Sequence, residues 1–393
     1  MKPLIRWIPL SLAVCLAVPL YAQQTYSSRV VDAKTGEGIP YATVRGAGMN
    51  GTQANIEGYF SLKAQPQETL HISCMGFETQ HVKASQLKDK VALKEAVSKL
   101  REVEVRKMEP LLVRVSRQMS EAYKAHKKDT TTFFLRQMQT SGRYREMGEA
   151  FFVAQSATNL RNLGFITGRH GKVTDGGTVA TGNLRDVNFH YLLEMAPMLH
   201  NAKWDDTVVP LKDGATEGFY RRNYDITYDL IPGDDGHDIY VIAMNAKPGN
   251  QELIYTGVLY VDAETLQPLR MDGQLENYKQ EIRRINSFQV AYEPVEIKLV
   301  VDYSNLRGYP EVVSVRTEWH SSVGVSQTQA FRVENLQYDK VHYRKYANMY
   351  DAIDHAGFDE AFWREHDVLR RTAEEEALAR QFTAPQSIAD QVL

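Results

Sequence analysis

The side chains best suited to chemistry in this chain of 393 residues fall into a few short clusters. Asp234, Asp235, His237 and Asp238 bring three carboxylates and an imidazole close together. Donors of that kind suit a divalent metal. They also follow Pro232-Gly233, between two alternating apolar runs, so a solvated hairpin tip is the expected reading. Asp351, Asp354 and His355 form a second cluster, and acidic residues at a helix start complement the helix dipole. Gly168-Arg169-His170-Gly171-Lys172 has the composition of an anion-binding loop but lacks the Gly-x-x-x-x-Gly-Lys-Ser/Thr spacing that cradles phosphates. Asn55 and Glu57 beside Gly58 outline a calcium loop without the further oxygen ligands that Ca²⁺ takes, and an ordinary turn is expected.

Cysteine and histidine chemistry is equally restricted. Two cysteines are present, Cys15 and Cys74. If the leader carrying Cys15 is removed, Cys74 has no partner for an internal disulfide or a thiolate cluster. A nucleophilic Cys74 would need an electropositive setting, whereas Ile72-Ser73 and Met75-Gly76-Phe77 around it read as the end of a buried strand. The eleven histidines show no metal spacing. No His-Glu-x-x-His, Gly-x-Ser-x-Gly or dinucleotide fingerprint occurs. His126 lies on the apolar stripe of a predicted helix, as a packed or capping residue. His320 alternates away from the apolar face of its strand. These patterns assign no catalytic, cofactor-binding or metal residue, and no cofactor. A Ser-His-Asp set drawn from distant positions stays open, because triads are defined by geometry.

The elements that would position such residues begin with a leader. Lys2 and Arg6 precede an apolar run from Trp7 to Leu20, and Ala22 offers a small residue before Gln23-Gln24-Thr25. Residues 1–22 therefore read as a secretory signal peptide. Leu12-Ala13-Val14-Cys15 also outlines a lipoprotein box, against which Val14 is bulky. Retention as an anchor is a further alternative, although the run is short for a bilayer. No later run is long enough to cross a membrane, so the mature chain is expected to have no spanning segment. Removing Lys2 and Arg6 takes the formal charge from −3 to −5. A mildly acidic chain without a basic run argues against nucleic acid as a partner.

Residues 23–106 alternate short apolar runs with turns. Asp32-Ala33-Lys34-Thr35-Gly36, Asn50-Gly51 and Asn55-Ile56-Glu57-Gly58 are the turns. Tyr41 to Val44, Tyr59 to Leu62, Thr69 to Ser73, Glu78 to Val82, Val91 to Leu93 and Val103 to Val105 are predicted strands. Turns at that spacing indicate a small β-sandwich.

Four stretches of this region carry a resemblance. Val31 to Val44, Asn55 to Leu62 and Leu70 to Thr79, with the closing Leu100 to Val105, resemble a carboxypeptidase regulatory-like domain. The resemblance covers about a fifth of the chain. It implies a transthyretin-like sandwich of the kind found at the start of exported Bacteroidetes-type envelope proteins. In metallocarboxypeptidases the module is the non-catalytic appendage, so it implies neither peptidase activity nor zinc.

Residues 107–128 change to helical period, with Leu112, Val115, Met119 and Ala122 on one face. This is predicted as a linking helix. Residues 129–345 read as an antiparallel β domain, a meander or half-barrel with one buried face. Within it, residues 161–183 are rich in glycine and polar residues, and a long loop at the rim of a site is expected there. Tyr191 to His200 reads as a short helix. Residues 346–393 supply helices to cover the sheet, and Thr372-Ala373-Glu374-Glu375 is a capping box. The fold class is thus mainly β with α.

Phe133-Phe134-Leu135-Arg136, Tyr144 to Ala150 and Phe362 to Asp367 resemble the uncharacterised domain that often follows the regulatory-like module. Tyr255 to Thr265 is also similar to one hairpin of LolA-like half-barrels, which hold lipid tails. The resemblance implies a periplasmic or outer-membrane-associated protein. The expected function is non-catalytic binding or assembly, with an outer-membrane protein, a lipid or a peptide as partner. The alternatives are an envelope hydrolase acting on peptide or glycan, and an accessory partner of a TonB-dependent outer-membrane transporter.

Overall fold

The computed structural model describes residues 23–46, 51–96, 108–156, 160–173, 207–208, 214–233, 236–283, 290–322, 324–343, 349–366 and 368–382, with residues 158 and 211. The leader with Cys15, the strand expected over Val103 to Val105 and the helix expected over Tyr191 to His200 lie outside the described residues.

The N-terminal domain consists of β1 (Gln24–Asp32), β2 (Thr43–Arg45), β3 (Gly51–Gln53), β4 (Tyr59–Ala64), β5 (Thr69–Ser73), β6 (Gln80–Lys83) and β7 (Lys90–Leu93). They form two sheets, ordered β4-β1-β7 and β3-β2-β5-β6. Alternation along the strands sends Val30, Phe60, Leu62, Leu70, Ile72 and Leu93 into one core. The Asn55 turn is self-contained: Asn55 Oδ1 accepts the amides of Glu57 and Tyr59, each at 3.0 Å. Gly58 closes it at φ +87°, where a Cβ would lie 2.4 Å from the Val30 carbonyl oxygen. Glycine is the residue that fits there.

After α1 (Glu109–His126), the large sheet uses β8 (Thr130–Ser141), β9 (Tyr144–Gln155), β10 (Arg161–Val173), β11 (Thr207–Val208), β12 (Tyr224–Pro232), β13 (Asp238–Ala246), β14 (Leu253–Asp262) and β15 (Pro268–Glu276). It continues, past a separate ribbon of β16 (Lys279–Arg283) and β17 (Val290–Pro294), with β18 (Glu296–Ser304), β19 (Glu311–Ser321) and β20 (Gly324–Arg332). The order is β10-β9-β8-β20-β19-β18-β15-β14-β13-β12, with β11 added in parallel to β14. Two antiparallel meanders therefore join edge to edge where β20 pairs with β8.

The two faces differ because the side-chain period is two. Phe133, Leu135, Trp319, Leu299 and Met271 point to an apolar inner face. It is covered by Leu112, Val115 and Met119 of α1, by Tyr220 of α2 (Glu217–Asn223), and by Met349 and Ile353 of α3 (Met349–Ala356). The outer face is polar over β15, β18 and β19. At the β8–β10 end it turns apolar, where Phe134, Phe151 and Ile166 meet Trp363 of α4 (Glu360–Glu365) and Leu369. The last helix, α5 (Ala373–Ala379), carries the expected capping box of Thr372 and Glu375.

One expectation is overturned. Residues 161–173 are not loop but the edge strand β10, paired with β9. Of the glycines that suggested a loop, Gly168 makes room for α3, Gly164 for Val341 and Tyr343, and Gly171 for the Leu378 carbonyl. A Cβ on Gly148 would lie 2.2 Å from Met349 Cε, and one on Gly168 would lie 2.6 Å from Ile353 Cγ1. The remainder of that stretch, from position 174, lies outside the described residues.

The N-terminal domain is tied to the sheet through the chain between α4 and α5. Thr52 Oγ1 donates to the Val368 carbonyl at 2.7 Å, and Lys63 Nζ donates to the Glu365 carbonyl at 3.0 Å. Gln329 Nε2 on β20 donates to Gln53 Oε1 at 3.0 Å. Among the described residues, no helix is long and apolar enough to cross a membrane.

Candidate functional site

The N-terminal domain stands over the polar outer face of the sheet and leaves a cleft of about 1160 Å³. Its floor comes from every second residue of neighbouring strands, including Thr256, Gln274, Lys298, Arg316 and Gln327. Tyr41, Asn55, Cys74 and Phe77 form the facing wall. Glu374 and Glu375 of α5 close one side.

The floor of the cleft rests on an ion-pair cluster spanning three strands. Arg270 places Nη2 2.6 Å from Asp272 Oδ2 and Nη1 3.3 Å from Asp302 Oδ1. Asp302 Oδ2 accepts Ser314 Oγ at 2.6 Å and lies 3.2 Å from Arg316 Nη1. Burial pushes the Asp302 carboxyl up, but Arg316 and Arg270 outweigh it and hold the group below the usual carboxylate range. Burial works against the Arg270 charge, and Asp302 more than restores it. Asp302 and Arg270 are therefore held in their charged forms, and the cluster pairs two carboxylates with two guanidiniums. The Arg316 guanidinium also lies over the Tyr41 ring, 4.7 Å from its centroid. Burial raises the Tyr41 phenol and the Cys74 thiol, so both stay protonated at neutral pH. Among the described residues, those lining the cleft include no histidine.

A second charged centre anchors the C-terminal segment beside the cleft. Glu149 on β9 is fully buried. It accepts Arg136 at 2.7 Å, Arg169 at 2.7 Å and Arg371 at 2.7 Å. Arg136 also reaches Glu375 at 3.2 Å and the Leu369 carbonyl at 3.0 Å. Burial pushes the Glu149 carboxyl up, and Arg136, Arg371 and Arg169 together drive it well below the usual range. Arg169 stacks on Trp363 with its guanidinium carbon 3.9 Å from the ring centroid. One carboxylate thus holds three strands and the α4–α5 segment together.

The residues that looked chemical in sequence are dispersed. His237 Nδ1 meets Asp262 Oδ2 at 2.9 Å and Nε2 meets Glu264 at 3.4 Å, both in the neighbouring turn. Asp262 Oδ1 accepts the amides of Glu264 and Thr265, which makes it a turn residue. Asp234 and Asp235 lie outside the described residues. Asp351, Asp354 and His355 share α3 but part company. His355 Nδ1 contacts the Asp351 carbonyl at 3.1 Å. Asp354 instead meets His170 Nε2 at 3.0 Å, while His170 Nδ1 lies 3.8 Å from the buried Glu146. His126 pairs with Asp129 at 2.8 Å and stacks on Tyr309. His320 lies on the outer face against Glu318. Among the described residues, no group of three or more His, Cys, Asp and Glu side chains is placed to hold a metal ion.

Sequence reading did not find the cleft. Its floor is built from single polar residues on strands as far apart as Thr256 and Gln327. The available signal was that the wet sides of β15, β18 and β19 carry Arg270, Asp272, Asp302 and Arg316 where shorter neutral residues would serve.

Residues 26–105 match the CarboxypepD_reg-like domain. The match accounts for the N-terminal sandwich and extends to residue 105. The resemblance read from Val31 to Val105 points to the same domain. Among curated proteins, none matches the chain. Among solved structures, a DUF1329 family protein from Desulfovibrio piger aligns at 14% identity. That alignment covers 60% of this chain and 94% of the other, with a TM-score of 0.25.

Proposed function

We propose that this chain is an exported, non-catalytic binding protein of a Bacteroidetes-type cell envelope, with the cleft between its two domains as the ligand site. The carrying observation is the state of the cleft's ionisable groups. Arg270, Arg316, Asp272 and Asp302 neutralise one another, and the Cys74 thiol is held protonated. A general acid, base or nucleophile needs a group poised to change state near the working pH. Asp302, Arg270 and the Cys74 thiol are held away from that condition. Position and size support binding: clefts at domain junctions are favoured ligand sites, and this one exceeds the range of about 300–1,000 Å³ usual for small molecules. The regulatory-like module adds a wall to the site, consistent with its non-catalytic role in the metallocarboxypeptidases. The leader at residues 1–22 supports export.

Native mass spectrometry of the protein isolated from its own envelope tests this reading. The expected result is a non-covalent adduct that disappears in Gln274→Trp, where an indole fills the floor. A clean monomer, or an adduct indifferent to Gln274→Trp, counts against the cleft. Turnover of an envelope peptide or glycan that one substitution at His170 or His237 abolishes would favour the hydrolase alternative.

A further inference from the structure

Resting on the cleft as the ligand site, we infer that its ligand is a neutral, hydroxyl-rich chain, an oligosaccharide. The charges argue first. Each basic residue of the lining already has a carboxylate: Arg136 has Glu149 and Glu375, Arg270 has Asp272 and Asp302, Arg316 has Asp302, and Lys298 has Glu296. Among the described residues of the lining no cation is left over for a phosphate or polycarboxylate, and the acidic lining repels one. Most of the acids are engaged too. Asp32 accepts the amides of Lys34 and Thr35, Glu276 accepts Thr256 Oγ1, and Glu318 accepts Gln327 Nε2. These bonds fix the acids in the wall and floor of the cleft.

The neutral polar groups argue second. Asn55 is 2% exposed and lines the cleft, and its Nδ2 has no hydrogen-bond partner. Arg270 Nε is likewise a buried donor without an acceptor in hydrogen-bonding geometry. Unmet buried donors are costly unless an acceptor arrives. Hydroxyl groups supply acceptors and, being donors as well, also suit the amide oxygens of Gln274 and Gln327. Phe77 on the wall adds an aromatic side chain of the kind that packs on the C–H face of a sugar.

The floor argues third, against an extended peptide. Peptides that add to sheets do so at an edge, where unpaired N–H and C=O groups await them. Here the floor is the face of β14, β15, β18, β19 and β20, whose backbone groups are spent on one another. This floor offers side chains and strand glycines rather than a row of unpaired backbone groups.

Isothermal titration of the mature chain against a panel of neutral linear hexasaccharides, with lysine-rich and acidic hexapeptides as the second arm, tests the inference. The expected result is binding of at least one hexasaccharide with an affinity insensitive to salt. Asn55→Asp keeps the Oδ1 acceptor that builds the turn and removes the Nδ2 donor, and it should weaken that binding about tenfold. Gln274→Ala and Gln327→Ala, on the sheet floor away from the turn, should each weaken it and serve if Asn55→Asp does not fold. Peptide binding alone, or saccharide binding that all three variants leave unchanged, overturns the oligosaccharide assignment. If no panel member binds while a native adduct is lost in Gln274→Trp, the oligosaccharide assignment falls and the cleft stands. If neither is seen, both fall.

Discussion

Arg371, from the chain between the last two helices, sets Nη2 2.7 Å and Nε 3.0 Å from the two carboxylate oxygens of Glu149 on the second strand of the large sheet. The contact spans more than two hundred residues of sequence. Arg136 and Arg169 complete the cage. Glu149→Gln would keep the shape and leave three buried guanidiniums short of a counter-charge. The expected cost is about 3–5 kcal/mol in equilibrium denaturation, as for a broken buried pair.

The same carboxylate predicts an acid dependence. Its folded-state affinity for protons is depressed, so the unfolded chain binds a proton first as pH falls. The Glu149 contribution is complete above the unfolded glutamate pKa of about 4.3 and is lost progressively below it. Urea denaturation across the acid range should show stability falling with pH in the wild type. Glu149→Gln should show a shallower slope there. Equal slopes would mean that the cage contributes nothing to acid sensitivity.

Cys74 offers a probe of the cleft. Burial raises its thiol, so the reactive thiolate is scarcer in the folded protein than in the unfolded chain. Alkylation by iodoacetamide should therefore be slow at neutral pH. Its rate should rise along a curve displaced to higher pH than that of the urea-unfolded protein. A folded-state profile matching the unfolded one would show that the cleft wall at Cys74 opens readily.

Much of the architecture was legible in sequence because it rests on local period and local chemistry. The alternation in Tyr224–Pro232 and Glu296–Ser304 fixes strands, and Thr372 with Glu375 fixes a helix start. The strand over residues 161–173 was hidden because Gly164, Gly168 and Gly171 read as breakers. Their purpose appears only when Val341, Ile353 and the Leu378 carbonyl are seen pressed against them. Glu149 gave a fainter signal, a lone acid in the buried run Met147 to Ala154. Its three arginines come from separate stretches that no spacing connects. The cleft has the same character. Asn55 was read correctly as a turn residue through its Oδ1, while its Nδ2 becomes informative only with the sheet opposite.

Docking of the N-terminal domain is predicted to depend on few polar contacts. Thr52 Oγ1 donates to the Val368 carbonyl at 2.7 Å, and both groups are largely removed from water. Thr52→Val keeps the shape and removes the donor. The expected loss is about 1 kcal/mol or slightly more, because the carbonyl is left without a partner. Hydrogen exchange should accelerate through residues 363–372 while the inner-face strands keep their protection. Unchanged exchange in that segment would show that the contact does not hold the domains together.

The glycine hollow under α3 makes the sharpest packing prediction. Gly168 stands across from Ala150 in the β9–β10 pairing, and Ile353 lies directly over it. In Gly168→Ala the new methyl would sit 2.6 Å from Ile353 Cγ1 and 2.9 Å from Cγ2, closer than carbon atoms tolerate. Backbone conformation is not the obstacle, since Gly168 is in an ordinary strand geometry. The clash must be relieved by moving α3, at an expected cost of about 1–3 kcal/mol. Ile353→Ala alone should also destabilise, through the cavity it opens against Gly148 and Gly168. Because the added methyl occupies part of that cavity, the double variant should be more stable than the sum of the two losses. A double-mutant cycle by urea denaturation measures the coupling directly. Strict additivity would mean that α3 does not rest on the glycines, and that their place in β10 has some other cause.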